Sequence, residues 1–210
     1  MGEADARVLN ADQIRDAATV VLLRQTAEGP RVLMGQRGAA AVFMPSKYVF
    51  PGGGVDASDR LSPRAGLLSG TCADCLRRHP LPDAHAPEAL ATAALRELAE
   101  ETGLHLAPTA APPLRFIFRA ITPPGRSRRF DARFFLIDAA HVAGDLDDFS
   151  DASDELGHLH WIGLTEARAL DLPFITEVVL AEIAATLAGA ADQGVPFFDN
   201  SGPTPTFRRL

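Results

Sequence analysis

The stretch Pro87-Glu88-Ala-Leu-Ala-Thr-Ala-Ala-Leu-Arg96-Glu97-Leu98-Ala99-Glu100-Glu101-Thr102-Gly103 consists of strong helix formers, with Pro before its start and Gly where a C′ residue belongs. It predicts a helix over 88–102. Leu95 and Leu98 turn one side of that helix to a core, while Glu97, Glu100 and Glu101, at i, i+3 and i+4, stack three carboxylates on one face. Like-charge pairs at this spacing each cost a few tenths of a kcal/mol, roughly. The face is therefore either solvated or neutralised by a cation. Hard oxygen donors grouped in this way suit Mg²⁺ or Mn²⁺. Arg96, four residues before Glu100, is placed to brace the carboxylates.

Upstream, an apolar β-branched run at 17–25 and Arg31-Val32-Leu33-Met34-Gly35-Gln36-Arg37 flank the turn Ala27-Glu28-Gly29-Pro30 and read as an antiparallel strand pair. A short extended piece then runs to Phe50-Pro51-Gly52-Gly53-Gly54, whose glycines allow close approach of the backbone to a ligand. Residues 57–87 show no sustained period. Downstream, 114–121, 129–137 and 158–162 read as strands, 165–170 opens as a short helix, and 174–187 has helical apolar spacing. The Pro/Gly-rich tail at about 190–210 is expected to drape over the surface.

With 47% hydrophobic and 22% charged residues, the chain falls in the globular range, and 210 residues suit a single domain. A net charge of −7 gives no cationic field for nucleic acid or an anionic membrane, and no apolar run approaches the roughly 18 residues that span a bilayer. Two cysteines make no disulfide framework, and residues 1–15 lack the apolar core of a secretory signal. A cytoplasmic protein is expected. Lys47 is the sole Lys among twenty cationic residues, which with the abundant Ala points to a GC-rich, bacterial coding sequence.

Glu88, seven residues, then Arg96-Glu97-Leu98-Ala99-Glu100-Glu101-Thr102-Gly103-Leu104 resembles the second half of the Nudix hydrolase box, E-x7-R-E-U-x-E-E-x-G-U with U aliphatic. Pro51-Gly52-Gly53 resembles the Pro-Gly-Gly that opens it. The family has a six-residue step from its Gly to the Glu matched here by Glu88, so the stretch of about 57–87 reads as an insertion inside the box. The resemblance implies an α/β Nudix sandwich, a mixed β-sheet between helices, with the helices at 88–102 and 174–188 on opposite faces. It implies metal ligation by Glu97, Glu100 and Glu101, with the Gly52 carbonyl a further ligand. It also implies that Arg96 and Glu88 pair to brace the box. The implied reaction is hydrolysis of a diphosphate by in-line attack of water, assisted by Mg²⁺ or Mn²⁺.

For the substrate, Arg37 stands at the Arg-to-Phe-Pro-Gly-Gly spacing of the coenzyme A diphosphatase signature, whose other positions are departed from at Gly38, Val42 and Ser46. Phe43-Met44-Pro45, Val49-Phe50-Pro51-Gly52-Gly53, Val55-Asp56, Asp59, Ile121-Thr122-Pro123, Arg129-Phe130-Asp131 and Arg133-Phe134-Phe135 resemble the peroxisomal and mitochondrial coenzyme A diphosphatases with a long insertion in the box. That likeness implies coenzyme A or an acyl derivative as substrate. Arg126, Arg128, Arg129 and Arg133 are then candidates for its 3′-phosphate, the alternative being solvated Arg on a hairpin edge. ADP-ribose, a dinucleotide or a nucleoside triphosphate is the rival substrate, and a non-catalytic nucleotide-binding Nudix module the rival class. Such modules usually lose box carboxylates, and all are present here.

Two weaker constellations remain. Glu155 precedes a strand where many Nudix chains carry an extra acidic residue, and competes with Glu100 and Glu101 for the role of general base. Either Cys72, Cys75, His79 and His85 form a structural Zn²⁺ site, or Cys72 and Cys75 form a redox pair, or they are two ordinary thiols beside unrelated histidines. The expected partner is a small nucleoside diphosphate derivative, with a homodimer allowed.

Overall fold

The computed structural model describes residues 13–210. The reading of the N-terminal lead therefore lies, for residues 1–12, outside the described residues. Strand β1 (Ile14–Thr26) is the longest strand and the organising one. Its far half pairs antiparallel with β2 (Gly29–Arg37), and its near half pairs with the three glycines of β4 (Gly52–Gly54). On its other side it runs parallel to β6 (Arg129–Asp138), from Ile14 opposite Arg129 to Leu23 opposite Asp138.

The sheet continues through β5 (Arg115–Ile121) on that flank, and through β3 (Tyr48–Val49) and β7 (Leu156–Gly163) against β2. The expected strand pair at 17–37 and the three downstream strands are all formed.

Period-2 alternation sends the two faces of β1 into two cores. Ala18, Val20 and Leu22 join the cluster under α3 (Pro87–Thr102), with Leu90, Ala94, Leu95 and Leu98. Val21 and Leu23 join the cluster under α5 (Phe174–Leu187), with Val179, Leu180 and Ile183. Burying a Leu or Val side chain contributes about 1.5–3 kcal/mol, so each helix is held by its apolar stripe. Helix α3 ends at Gly103, whose φ of +73° is the left-handed cap its sequence requires.

The tail departs from expectation. Rather than draping over the surface, it forms a hairpin of β8 (Pro196–Asp199) and β9 (Thr206–Arg209) that extends the sheet, with Phe197 opposite Arg119 in parallel register. Phe197 is buried and Leu210 N donates to Val195 O at 2.8 Å. Burial of Phe197, with Phe198 half-buried beside it, overrides the turn-rich composition around them.

Residues 57–86 hold two short helices, α1 (Ala57–Leu61) and α2 (Gly70–Leu76), joined by loops. This segment is latched to the sheet at two points. Arg119 Nη1 donates to the carbonyls of Arg78 and His79 at 2.9 and 3.0 Å, and His85 meets Asp16 through its backbone N at 2.6 Å and its Nδ1 at 2.7 Å. A short helix, α4 (Leu164–Ala167), follows β7.

Candidate active site

The acidic end of α3 packs against the glycine strand β4. Val20 N donates to Pro51 O and Val55 N to Asp16 O, so the polar groups of Gly52 and Gly54 turn away from β1 and toward α3. Gly52 N donates to Glu101 Oε2 at 2.7 Å, and Gly54 O accepts from Arg96 Nη2 at 2.8 Å. The glycines are required by this closeness. A Cβ on Gly53 would stand 2.3 Å from Glu97 Oε1, and one on Gly52 would stand 2.6 Å from Ala18 O.

Arg96 is the hub. Its guanidinium donates to Glu97 Oε1 and Glu100 Oε2, each at 2.9 Å, and grips both oxygens of Asp59. The expected ion pair between Arg96 and Glu88 is not made. Glu88 lies at the start of α3, two helical turns away, and meets Arg77 at 3.4 Å. Its place is taken by Asp59, which is 2% exposed and also accepts from Asp56 N at 2.8 Å. Counting could have found it, since six residues beyond Gly53, the step the Nudix box specifies, falls on Asp59.

The electrostatics are under-compensated. Burial pushes the Glu101 carboxyl up to about 8, opposed by the Gly52 N–H and Arg37, and reinforced by Glu97 and Glu155. Burial likewise raises Glu97, against the lowering effect of Arg96. Glu155, exposed just before β7, adds to the rise of both carboxyls. Arg37, at the end of β2, counteracts the rise of Glu101, and its Nε is buried with no hydrogen-bond partner among the described residues. Among the described residues, Glu97 Oε2 and Glu101 Oε1 accept no hydrogen bond. The donor set, hard carboxylate oxygens in excess over nearby cations, fits a divalent ion. As they stand, no three His, Cys, Asp or Glu side chains among the described residues are close enough to hold one. Glu100 is drawn aside by Arg96, and its exposed side chain is free to turn.

Two proposed substrate contacts are corrected. Arg129 and Arg133 occupy the β6 face that also carries Phe135 and Ile137, and are 6% and 1% exposed. Arg133 pairs with Asp16 and with Asp131 at 3.0 Å, and Asp131 also receives Arg119 Nε and Nη2 at 2.8 and 2.6 Å. Arg129 donates to the carbonyls of Thr122 and Asn200. These guanidiniums are engaged by partners inside the fold. Arg126 and Arg128 remain exposed on the turn after β5. The zinc set does not assemble either: Cys75 is buried in the core under α3, its thiol pushed up by that burial, and His85 Nδ1 is engaged by Asp16.

A Nudix hydrolase from Alicyclobacillus acidocaldarius superposes with a TM-score of 0.59 at 27% identity, over 85% of this chain and 96% of that one. The fold is that of the Nudix hydrolases. A MutT Nudix hydrolase from Burkholderia pseudomallei gives 0.53 at 19% identity, over 81% and 98% of the two chains. The Nudix domain of Shewanella oneidensis NrtR, in complex with ADP ribose, gives 0.52 at 14%, over 83% and 89%. No family model matches the chain. The Nudix likeness supports a hydrolase acting on phosphoric anhydrides. Among the described residues no helix is long and apolar enough to cross a membrane.

Proposed function

We propose that this protein is a Mg²⁺- or Mn²⁺-dependent Nudix hydrolase that cleaves the diphosphate of a nucleoside derivative, with coenzyme A or an acyl-coenzyme A as substrate. The observation that carries the reading is the packing of the α3 carboxylates on the glycine strand: Glu101 Oε2 accepts from Gly52 N at 2.7 Å, Glu97 fills the space a Gly53 Cβ would take, and Arg96 braces both Glu97 and Glu100. Glu97, Glu100, Glu101 and the Gly52 carbonyl would hold the metal, which when bound neutralises charge on the diphosphate oxygens. Arg37 supplies a fixed donor to a phosphate oxygen. Glu155, or the oxygen that Glu101 leaves open, takes the proton of the attacking water. The water oxygen bonds to phosphorus as the P–O bond of the anhydride breaks, and the second phosphate leaves with that electron pair. Arg96, held by Asp59, fixes the carboxylates in place.

We read the stretch of about 57–87 as holding the insertion within the box, with Asp59 near its start at the box position and the extra residues following it. The coenzyme A reading rests on the sequence segments already quoted, with Arg126 and Arg128 as the remaining candidates for the 3′-phosphate. A charge-assisted contact of that kind contributes on the order of 1.5–3 kcal/mol. Hydrolysis of coenzyme A, dephospho-coenzyme A, ADP-ribose, NADH and nucleoside triphosphates, each with Mg²⁺ and Mn²⁺, tests it. The expected result is a kcat/KM for coenzyme A about tenfold or more above its dephospho form. Equal rates would remove the coenzyme A reading and leave a diphosphate hydrolase of other specificity. No hydrolysis of any of them would remove the enzymatic reading.

A further inference from the structure

Cys72 and Cys75 take no part in the carboxylate site, and the fold sets them side by side. They stand three residues apart on α2, so they share one face of the helix with their Cβ atoms roughly 5–6 Å apart. Both turn to the same packing: Cys75 is buried in the core cluster under α3, and Cys72, half-buried, packs against that cluster. Cys72 also adds to the rise of the Cys75 thiol, which Arg78 and Arg119 oppose. A disulfide asks for Cα atoms about 4.4–6.8 Å apart, which one helical turn supplies, but for Cβ atoms about 3.5–4.5 Å apart. Closing the pair therefore tightens the turn.

That turn ends where the segment 57–86 is latched to the sheet. Arg77 N donates to Ala73 O at 3.3 Å and Arg78 N to Cys75 O at 3.1 Å, and the next two carbonyls, those of Arg78 and His79, receive Arg119 Nη1. His79 sits at a φ of +49°, an uncommon conformation for a side chain of its size. We propose that Cys72 and Cys75 are a reversible redox pair, closed by a low-molecular-weight disulfide, and that the closed form pulls the end of α2 away from Arg119. Cys72, the less buried thiol, attacks first as its thiolate. The S–S bond of the small disulfide breaks, one small thiolate leaves with the electron pair, and a mixed disulfide remains on Cys72. The Cys75 sulfur then attacks that Cys72 sulfur and expels the second small thiol. Two cysteine thiols are oxidised, one small disulfide is reduced, and the two cysteine protons end on the two small thiols. A bond that a helical turn must tighten to accept is of the strained kind, and strained disulfides are the labile ones.

Glutathione disulfide added to the full chain, followed by intact-mass spectrometry and iodoacetamide labelling, tests the chemistry. The chain should lose the mass of two hydrogen atoms, keep no glutathione, and show both cysteines blocked to the label until dithiothreitol reopens them. Cys75→Ser should keep one glutathione on Cys72, with nothing to expel it, and Cys72→Ser should stay unmodified over the same interval. Thiols that remain open to labelling after treatment, glutathione retained on the parent chain, or a bond between two chains would overturn the pair. Hydrogen exchange tests the latch: the amides of 77–79 should exchange at least tenfold faster in the closed form, with β2 unchanged. Equal exchange at 77–79 in the two forms would overturn the coupling to Arg119. Neither measurement involves hydrolysis, so the outcome is independent of the proposed reaction.

Discussion

Two charged clusters lie on the α3 side of the sheet, and they are built to opposite ends. In one, Asp16 and Asp131 face Arg119 and Arg133, two carboxylates for two guanidiniums, all nearly or wholly buried. In the other, Asp59, Glu97, Glu100, Glu101 and Glu155 outnumber Arg96 and Arg37. The balanced cluster leaves little for a ligand to do; among the described residues Arg133 Nε is its single buried side-chain atom without a partner. The unbalanced one keeps carboxylates whose protonation is raised by burial, so a cation entering there relieves a cost that the fold already carries. Charge density alone does not mark a site. Uncompensated charge of one sign does.

The largest effect expected from this contrast is on turnover. Glu101→Gln should lower hydrolysis at least a hundredfold in steady-state assays. The sign for stability runs the other way. Because the Glu101 carboxyl is held at about 8 in the fold, above its ordinary range, ionising it costs stability progressively as pH rises through that interval and remains costly above it. In metal-free protein at pH 8 the variant should therefore melt at the same temperature or a few degrees higher, by calorimetry. A fully active variant would break the comparison.

The balanced cluster should respond in the opposite sense. Arg119→Met strands Asp131 beside Arg133 alone, and removing one partner of a buried pair costs about 3–5 kcal/mol. At this chain length that corresponds to a fall in Tm on the order of 10 °C. Denaturant titration should show it, with no change in metal affinity. Asp59→Asn should be milder, lowering kcat about tenfold by loosening Arg96, while Glu88→Gln stays within about twofold of the parent; the reverse order would restore Glu88 as the brace. The smallest effect concerns pH. Arg133 and His85 more than offset burial and hold the Asp16 carboxyl below the ordinary range. The stability it contributes is present above that range and lost as pH falls through the depressed value. In denaturant titrations below about pH 4, Asp16→Asn should flatten the acid limb of the stability curve.

Much of the architecture was legible because it is local. Helix α3 carries its own cap and stripe, and β1, β2, β5, β6 and β7 carry their own alternation. What escaped was decided by tertiary contact. Arg129 and Arg133 read as surface cations on charge alone, although they share the odd-numbered face of β6 with Phe135 and Ile137. Asp131 between them and Arg119 one strand away were the available signal that this face is closed. The C-terminal hairpin was hidden by Pro and Gly that frame, rather than break, a two-phenylalanine strand. The carboxylates of α3 were visible from spacing, but the partner of Arg96 depends on how the chain returns to the helix.

The parallel seam between β1 and β6 also sets the timing of folding. Every rung joins residues more than a hundred positions apart, from Ile14–Arg129 to Leu23–Asp138, and such pairing closes slowly because chain entropy is lost before contacts repay it. During synthesis at roughly 5–20 residues per second, β1 would wait on the order of ten seconds for its partner. In that interval its Val20-Val21-Leu22-Leu23 edge is an aggregation hazard covered at most by β2, so slower growth temperatures or a bound chaperone should raise soluble yield more than any gain in native-state stability.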